Sequence, residues 1–501
     1  MRQGKKSVIL IIPLFALISI LLAVEPACRR AGEDDSAAVS AIRNDVLKAL
    51  EGQSLVGLSL AAAREGRVVL AEGYGLSDRE AGLPVGPDTM FAIGSITKQF
   101  TAACVLLLAQ ENRLSVSDRV AAYFPHLPRA RDITLLDLMN HVSGYRDYYP
   151  LDFVDRRMSQ PTTVDAVIDT YAGAPLDFEP GTRYSYSNTG YLILGRVVEK
   201  VSGLPFAEFL SKRILEPLEM RHTAFEPEPD GPGLARGYMS FLLSPPEAVP
   251  LEGRGWVHAA GALFSTPSDL AKWNNALFGG RVLDEERLKL MTAPRRLADG
   301  SVSNYGCGLA VGERNGVRFY SHSGAVNGYY AVNWYVPSSR SSLVLFSNLS
   351  SYAEVGSLFG KLVGDFLIRP TKESAKKPET AAAKTRAPAG TVRPQPGTPE
   401  VAGPPVAELA AGFFASLQAG RVDRSLLGDE FNWFLTDRKV EEAAARLKAF
   451  GEPLSVRVES IGERGGMEVS TTRLEFGSGN LRVLMYRTPD GKLQQYFVQR
   501  Y

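Results

Sequence analysis

The chain has 501 residues, which is enough for about three domains of ordinary size. The chain has 56 Lys and Arg residues and 55 Asp and Glu residues, which gives a net charge of +1. This charge is too small to favour binding to nucleic acid or to an anionic membrane. Apolar residues make up 45% and charged residues 22%, which excludes wholesale disorder and a multi-span membrane protein.

The N-terminal segment 1–28 has the pattern of an export signal. Three basic residues, Arg2, Lys5 and Lys6, precede an uncharged run over 7–24. A basic start before an apolar run is typical of secretory signals, and a run of 18 residues is also just long enough to span a bilayer. We expect export to the periplasm or cell exterior, with this segment either cleaved or kept as a membrane tether through 7–24 or Cys28.

A single α+β domain is predicted over 38–370. Strand patterns occur at both of its ends, and helical patterns separated by Pro- and Gly-rich loops fill roughly 115–280. This order favours one antiparallel sheet interrupted by a helical insertion. The predicted elements are a helix over 38–51, a hairpin of 55–63 and 67–74, a helix over 95–111, strands over 304–311, 317–322, 329–336 and 342–348, and a closing helix over 352–368.

The composition changes sharply over 371–405, which contains seven prolines but no aromatic residue, Leu or Ile. Such a segment cannot bury enough apolar surface to offset its ordering entropy, so we expect a semi-extended linker. A second, small α+β domain is predicted over 406–501. Its predicted elements are helices over 406–418 and 437–450 and a hairpin of 481–487 and 492–500.

The first candidate motif is Ser95-Ile96-Thr97-Lys98, at the start of the predicted helix 95–111. The i, i+3 spacing puts the serine hydroxyl and the lysine amine on one helix face, one turn apart. A serine becomes a nucleophile when a base takes its proton, and a lysine can be that base when burial lowers its pKa. The same spacing recurs at Ser374 and Lys377 in the linker, so this motif alone also fits a capping serine and a surface lysine.

Two further motifs occur once each. Tyr186-Ser187-Asn188 precedes a helix predicted to begin near residue 190, and its phenol could relay a proton while its amide orients substrate. His322-Ser323-Gly324-Ala325 ends one predicted strand and leads into the next. A glycine there lets the backbone approach a ligand, so that an N–H can form half of an oxyanion hole. Taken singly, the two motifs also fit a loop tyrosine and a hairpin turn.

In this order, the three motifs resemble those of the serine penicillin-recognising enzymes. Within that group, the chain is most similar in its motifs to the class C β-lactamase-related serine hydrolases, which include D-alanyl-D-alanine carboxypeptidases, D-aminopeptidases and esterases. The separations, 91 residues from Ser95 to Tyr186 and 136 from Tyr186 to His322, are similar to those of that family. Segments 136–144, 261–270 and 305–308 are similar too. The resemblance covers about 40–368 and implies an α/β (α+β) fold, with an antiparallel sheet flanked by helices and an all-helical lobe.

The resemblance also implies a role for each motif residue. Ser95 would be the acylated nucleophile, and Lys98 and Tyr186 would share proton transfer, with the first base left open. The backbone N–H groups of Ser95 and Ala325 would form the oxyanion hole. Substrate-binding residues would be Asn188, His322, Ser323, Gly324 and Ala325. No metal or organic cofactor is implied, because the chain itself supplies the nucleophile, the base and the oxyanion donors.

The histidine at position 322 affects which class of substrate the site is expected to bind. A lysine there would offer a fixed charge to the carboxylate of a β-lactam or a D-Ala terminus, whereas His322 is mostly neutral at pH 7. We therefore expect hydrolysis of D-amino-acid peptides, such as peptidoglycan-like peptides, or of small esters, rather than efficient β-lactamase activity. A β-lactamase and a non-catalytic ligand-binding protein are the alternatives.

Several other residues are given a structural interpretation. The residues His141, Asp269 and Trp273 are interpreted as structural, and Cys104 and Cys307 as buried free thiols. The three tyrosines Tyr145, Tyr148 and Tyr149 either line the mouth of the site or pack a loop.

The second domain resembles a nuclear-transport-factor-2-like cone domain, which suggests an interaction or substrate-presenting module with an unknown partner.

Overall fold

A computed structural model describes residues 35–51, 55–229, 231–350, 352–368 and 392–500. The expectations for 1–28, including the tether through 7–24 or Cys28, concern residues outside these ranges. Within the ranges, no helix combines the length and apolar character needed to cross a membrane.

The described residues form helices and strands in the following chain order. The helices are α1 (35–51), α2 (Thr97–Gln110), α3 (Leu135–Met139), α4 (Val164–Tyr171), α5 (Asn188–Ser202), α6 (Phe206–Leu210), α7 (His258–Gly261), α8 (Pro267–Phe278), α9 (Glu285–Met291), α10 (Tyr352–Leu362), α11 (Val406–Gln418), α12 (Asp429–Phe434) and α13 (Asp437–Leu447). The strands of the main domain are β1 (Gly57–Arg64), β2 (Arg67–Asp78), β3 (Leu83–Pro84), β4 (Phe91–Ala92), β5 (Ala224–Phe225), β6 (Tyr238–Met239), β7 (Glu247–Ala248), β8 (Leu263–Ser265), β9 (Ala310–Arg314), β10 (Val317–Val326), β11 (Tyr329–Val336) and β12 (Ser341–Ser347). Those of the C-terminal domain are β13 (Ser455–Arg464), β14 (Met467–Phe476), β15 (Gly479–Arg487) and β16 (Leu493–Arg500).

The main sheet joins the two ends of the first domain. Among the described residues it has seven strands in the order β3-β2-β1-β12-β11-β10-β9, and every neighbouring pair is antiparallel. β1 pairs with β12 although the two lie far apart in sequence, with Leu60 opposite Leu345. The helices α2–α9 are inserted between these strands. The predicted fold class, an antiparallel sheet with helices and a helical insertion, is confirmed.

Helix α2 forms the centre of the helical region. Every residue in it except Gln110 is buried, so its position is determined by packing on all sides. One contact is a stack of the Phe100 ring on Trp273 of α8, with ring centroids 4.1 Å apart. The N-terminal end of α2 therefore has a fixed position beside β10, with which the site is built.

Two of the predicted strands beside the site differ from the observed ones. The strand expected over 304–311 begins only at Ala310, because Gly308, at a φ of +76°, forms a turn against the first turn of α2. A Cβ at Gly308 would lie 2.5 Å from the Lys98 carbonyl oxygen, so the close approach needs a glycine. The strand expected to end at 322 instead continues as β10 to Val326. The third motif therefore lies inside a strand.

The C-terminal domain consists of a four-stranded antiparallel sheet, β13-β14-β15-β16, with helices α11–α13 packed on it. The helix predicted over 406–418 and the hairpin of the last two strands are confirmed, while α12 was not predicted. The part of the predicted linker that is described, 392–405, has no helix or strand but is bonded to this domain. The Gln395 N–H donates to the Ile461 carbonyl at 2.9 Å, and the Ala402 N–H to that of Pro489 at 3.0 Å.

The two domains share an apolar core. Val154, Met239, Phe241 and Leu242 of the main domain are buried in one cluster with the C-terminal domain's α11, α12 and sheet. The Phe241 ring lies edge-on to Phe434 at 5.0 Å between centroids. Burial of these side chains stabilises the contact, since each large apolar residue removed from water contributes on the order of 2 kcal/mol. The C-terminal sheet is thereby held against the loops that follow α3.

Candidate active site

Ser95 and Lys98 lie where the chain enters α2. Ser95 is in a single turn of 3₁₀-helix, Gly94–Ile96, and Lys98 is in the first turn of α2 itself. The Lys98 side chain is wholly buried, in keeping with the packing of α2 on every face. A buried amine in contact with a serine does not fit the alternative of a surface lysine.

The Lys98 amine has three polar neighbours. Its Nζ lies 3.0 Å from Ser95 Oγ, 2.6 Å from Asn188 Oδ1 and 2.8 Å from the Ala260 carbonyl oxygen. The amide and carbonyl oxygens can only accept hydrogen bonds, whereas a hydroxyl can also donate. A neutral amine satisfies this set fully, because its two N–H groups donate to Asn188 and Ala260 and its lone pair accepts the Ser95 O–H.

The surroundings of Lys98 favour the neutral form. Burial lowers its pKa well below the ordinary lysine value, and the charge of Arg464 lowers it further, while the charge of Asp147 opposes them. Burial is the largest of the three effects. The arrangement can therefore present a neutral base to the Ser95 hydroxyl.

The second motif lies at the start of α5, which begins at Asn188 and not near residue 190 as predicted. Asn188 uses its amide oxygen for Lys98, and its Nδ2 donates to Asp147 Oδ1 at 2.9 Å. Its backbone N–H donates to the same oxygen at 3.0 Å. Asn188 thus holds the amine of Lys98 in place, and its remaining amide N–H is the one left for a substrate.

The Tyr186 ring covers the amine. Lys98 Nζ lies 4.9 Å from the ring centroid, and the tyrosine packs on the imidazole of His141 with centroids 4.2 Å apart. Burial raises the pKa of Tyr186, and the nearby Ser95 hydroxyl lowers it by a smaller amount. The phenol makes no well-formed hydrogen bond to any described residue, so it is a buried, protonated group beside the nucleophile.

The third motif lies beside the Ser95 turn, with the two backbones in close contact. A Cβ on Gly324 would lie 1.9 Å from the Ile93 carbonyl oxygen and 2.9 Å from the Ser95 nitrogen. On the other side, a Cβ on Gly94, at a φ of +49°, would lie 2.7 Å from the Ala325 nitrogen. Only glycines permit this approach. It brings the backbone of the Ser95 turn against that of Gly324 and Ala325, the segments from which the family resemblance draws the oxyanion hole.

His322 has both ring nitrogens engaged. Nδ1 is bonded to the Ser323 carbonyl, which only accepts, so Nδ1 carries the proton and Nε2 accepts from the Tyr305 hydroxyl at 2.8 Å. Burial, with a smaller effect of the Lys98 charge, lowers the pKa of His322 to about 3. The side chain is therefore neutral at physiological pH, and its N–H is not free for a substrate.

The predicted residues share one cavity of about 390 Å³. Six of them line it: Ser95, Tyr186, Asn188, His322, Ser323 and Ala325. Lys98 lies buried behind Ser95, and Gly324 forms part of the backbone contact. The opposite wall comes from the C-terminal domain and includes Arg464, Leu484, Tyr486, Gln495 and Phe497.

Two charged residues of the site were missed by the sequence reasoning. Asp147, with a side chain 0% exposed, accepts from Asn188 and from Arg464. Asp147 follows the segment 136–144 closely, and that proximity was the available signal. Arg464 stands in another domain, and the glycine pair after it indicates a turn without indicating what the turn contacts.

The residues interpreted as structural are placed accordingly. The Nδ1 atom of His141 accepts from the Ser187 N–H at 3.1 Å, and Asp269 accepts from the His222 N–H at 2.8 Å. Trp273 donates to Gln99 Oε1 at 3.0 Å. Cys104 and Cys307 are buried and free.

The three tyrosines divide between the two roles that the sequence left open. Tyr149 lines the cavity and its hydroxyl is bonded to Glu252. The hydroxyl groups of Tyr145 and Tyr148 donate to the carbonyls of Pro128 and Trp256, so these two tyrosines pack loops.

Comparison with known proteins agrees with this geometry. The family model described as "Beta-lactamase" matches residues 42–358, more than half of the chain. The chain belongs to the beta-lactamase family. Within it, the order of the motifs and the relatives below identify a class C β-lactamase-related serine hydrolase.

Three relatives illustrate the range of this family. A putative penicillin-binding protein, PbpX, of Bacillus subtilis (strain 168) is 28% identical over 305 residues, 60% of this chain and 72% of that protein. The teichoic acid D-alanine hydrolase of Staphylococcus aureus is 31% identical over 226 residues, 44% of this chain and 53% of that protein. The structure of the D-amino acid amidase from Ochrobactrum anthropi SV3 matches at 27% identity with a TM-score of 0.56, covering 65% of this chain and 98% of that one.

The contact between Gly324 and the Ser95 turn gives a first prediction. Gly324→Ala should lower the rate of Ser95 acylation by about 100-fold or more, because the added methyl group pushes the oxyanion donors apart. The rate would be followed by stopped-flow absorbance with p-nitrophenyl acetate. Gly360→Ala is the matched control, since its Cβ would have nothing within 4 Å. Full acylation in Gly324→Ala would contradict this geometry.

A second prediction concerns His322. Its pKa of about 3 means that it has already lost its charge at pH 5, so it contributes no titration between pH 5 and 8. In His322→Gln the size of kcat/KM for an uncharged ester can change, but the midpoint of its pH profile should stay where it is in the unmodified protein. A profile recorded at half-unit steps checks this, and a displaced or missing limb would show that His322 titrates in that range.

Proposed function

We propose that this serine hydrolase is an exported enzyme that cleaves D-amino-acid amides or peptides, or small esters, through an acyl-Ser95 intermediate. The observation that carries the proposal is the buried Lys98 amine, whose Nζ lies 3.0 Å from Ser95 Oγ. Export rests on the segment 1–28 alone, which lies outside the described residues.

In the first half of the reaction, neutral Lys98 takes the proton of the Ser95 hydroxyl as Oγ attacks the substrate carbonyl carbon. The carbonyl oxygen becomes an oxyanion that the N–H groups of Ser95 and Ala325 stabilise. The bond to the leaving group then breaks, and Tyr186 gives its proton to the departing nitrogen or oxygen. The phenolate regains a proton from the Lys98 ammonium, which restores both groups.

In the second half, water attacks the acyl carbonyl and gives up a proton to Lys98, and the Ser95 oxygen leaves and takes that proton from the Lys98 ammonium, which restores both groups. The pKa directions support this division of labour, since burial lowers the pKa of Lys98 and raises that of Tyr186. A lysine that readily loses its proton suits the first base, and a tyrosine that keeps its proton suits the acid.

The substrate class is inferred from His322 and from the relatives. Because His322 is neutral with both nitrogens engaged, it offers no positive charge to a β-lactam carboxylate. This favours amides and esters of D-amino acids, and the relatives from S. aureus and O. anthropi are named as a teichoic acid D-alanine hydrolase and a D-amino acid amidase. We expect D-alanine amide to be hydrolysed faster than L-alanine amide.

The test is the intact mass of the protein, quenched in acid during turnover of p-nitrophenyl acetate. We expect an acetyl adduct that Ser95→Ala lacks. Lys98→Arg should slow its formation by about 10²- to 10⁴-fold, because a guanidinium does not give up its proton to become a base. Lys289→Arg, on an exposed face of α9, is the matched control. Hydrolysis at the full rate by Ser95→Ala would contradict the proposal.

A further inference from the structure

The C-terminal domain reaches the active site through one turn. β13 ends at Arg464, and Gly465 and Gly466, at φ of +62° and +78°, lead into β14. A Cβ on Gly465 would lie 2.8 Å from Pro150 Cγ and 3.0 Å from the Asp147 carbonyl oxygen. The turn is therefore seated directly on the loop that carries Asp147.

The same turn is fastened to the loop that carries Tyr186. Glu463 Oε2 accepts from Arg183 Nη2 at 3.2 Å and from Ser185 Oγ at 3.1 Å. The Glu463 side chain is only 6% exposed, so this ion pair is largely shielded from solvent. Both loops of the main domain that contribute to the site are thus in contact with β13.

A continuous chain of hydrogen bonds connects Arg464 to the nucleophile. Arg464 Nε donates to Asp147 Oδ2 at 2.9 Å, and Asp147 Oδ1 accepts from the amide of Asn188 at 2.9 Å. Asn188 Oδ1 in turn accepts from Lys98 at 2.6 Å, and Lys98 lies 3.0 Å from Ser95 Oγ. Three side chains, those of Asp147, Asn188 and Lys98, lie between Arg464 of the C-terminal domain and the reacting oxygen.

We propose that Arg464 is a positioning residue for the catalytic base, and that the C-terminal domain completes the active site by compensating the buried charge of Asp147. The inference rests on the proposed role of Lys98 as that base. It assigns the C-terminal domain a part in catalysis itself, in addition to the interaction or substrate-presenting role expected from the sequence.

The physical reason lies in the burial of Asp147. A carboxylate with no exposed surface is costly unless it is paired, and Arg464 is the cation bonded to it. Without Arg464, the uncompensated Asp147 would hold a proton on the nearby Lys98 and so remove the base. The charged and titratable groups that face Lys98 are Asp147, Arg464, Tyr186, Tyr191, His141 and His322.

The sign of the expected change follows from two charges. Arg464 lowers the pKa of Lys98 and Asp147 raises it, so loss of Arg464 removes a lowering effect and leaves the raising effect of Asp147 opposed by burial alone. In Arg464→Met the acid limb of kcat/KM for p-nitrophenyl acetate should move to higher pH. At a fixed pH below the limb, each unit of movement lowers kcat/KM about tenfold. A purely structural role would reduce activity without moving the limb.

The experiment compares three variants of the full chain between pH 5 and 10. Arg464→Met should shift the limb by at least about one unit, and Arg464→Met combined with Asp147→Asn should return it toward its original position, because no buried charge remains. Arg464→Lys, which keeps the charge, should shift it less than Arg464→Met. Arg457→Met, an exposed arginine on the same strand, is the matched control.

Each outcome separates this inference from the proposed function. If the unmodified protein forms no Ser95 adduct, the proposed function fails. If it forms the adduct and the limb of Arg464→Met stays in place, the positioning role alone is wrong. The positioning role would also be wrong if Arg464→Met only raised KM for a carboxylate-bearing substrate, N-acetyl-D-alanyl-D-alanine. In that case the acid limb of kcat/KM for p-nitrophenyl acetate would stay in place. If Arg464→Met does not fold, the other two variants decide. The positioning role is wrong if Arg464→Lys shows no shift of the acid limb, or if the double variant does not have its limb near the original position.

Discussion

Burial of the Lys98 amine is the constraint on which the rest of the site depends. An ammonium taken out of water is strongly destabilised unless charges or hydrogen bonds compensate it, and a neutral amine is not. The packing of α2 removes the amine from solvent, and two acceptor-only oxygens, from Asn188 and Ala260, receive its two N–H groups. In the neutral amine, the remaining lone pair is then available to the Ser95 hydroxyl, whose Oγ lies 3.0 Å away. The helix that stabilises the domain thus also buries the amine that we propose as the base.

The same constraint explains the polar residues that surround the amine. Asn188 can hold Lys98 only if its own amide is oriented, and Asp147 orients it through the side chain and the backbone N–H. Asp147 is itself buried and needs a cation, which comes from the C-terminal domain. Each buried polar side chain from Lys98 to Asp147 therefore needs a hydrogen-bond partner that is itself held in place. The series ends at Arg464, whose side chain is partly exposed to solvent. This sequence of dependences is why two domains share one cavity.

The sequence predicted the local elements and the motifs better than the contacts between distant segments. The order of the three motifs indicated the serine, the lysine and the tyrosine, and local helix, strand and turn patterns located α11 and the hairpin of β15 and β16. The sequence did not predict that β10 continues through the third motif. A glycine usually indicates a turn, and the backbone segment that packs against Gly324 cannot be identified from the sequence. Gly324 is in the strand since the Ser95 turn packs on it.

Asp147 and Arg464 show a different limit. Neither belongs to a spaced motif, and each acquires a role only through a partner that folding brings close from far along the chain. Pattern and propensity describe what a segment forms locally, while the need to pair a buried charge arises only after the segments pack. The neutral state of His322 was expected, but its two occupied nitrogens depend on Tyr305 and could not be deduced from spacing.

The central claim is that Lys98 is uncharged at the pH at which the enzyme works. Its direct test is ¹³C NMR of protein labelled at the lysine ε-carbon, with the Lys98 resonance assigned by its absence in Lys98→Arg. We expect this resonance to titrate well below the ordinary lysine value of 10.5. A resonance that keeps the chemical shift of an ammonium up to pH 10 would contradict it.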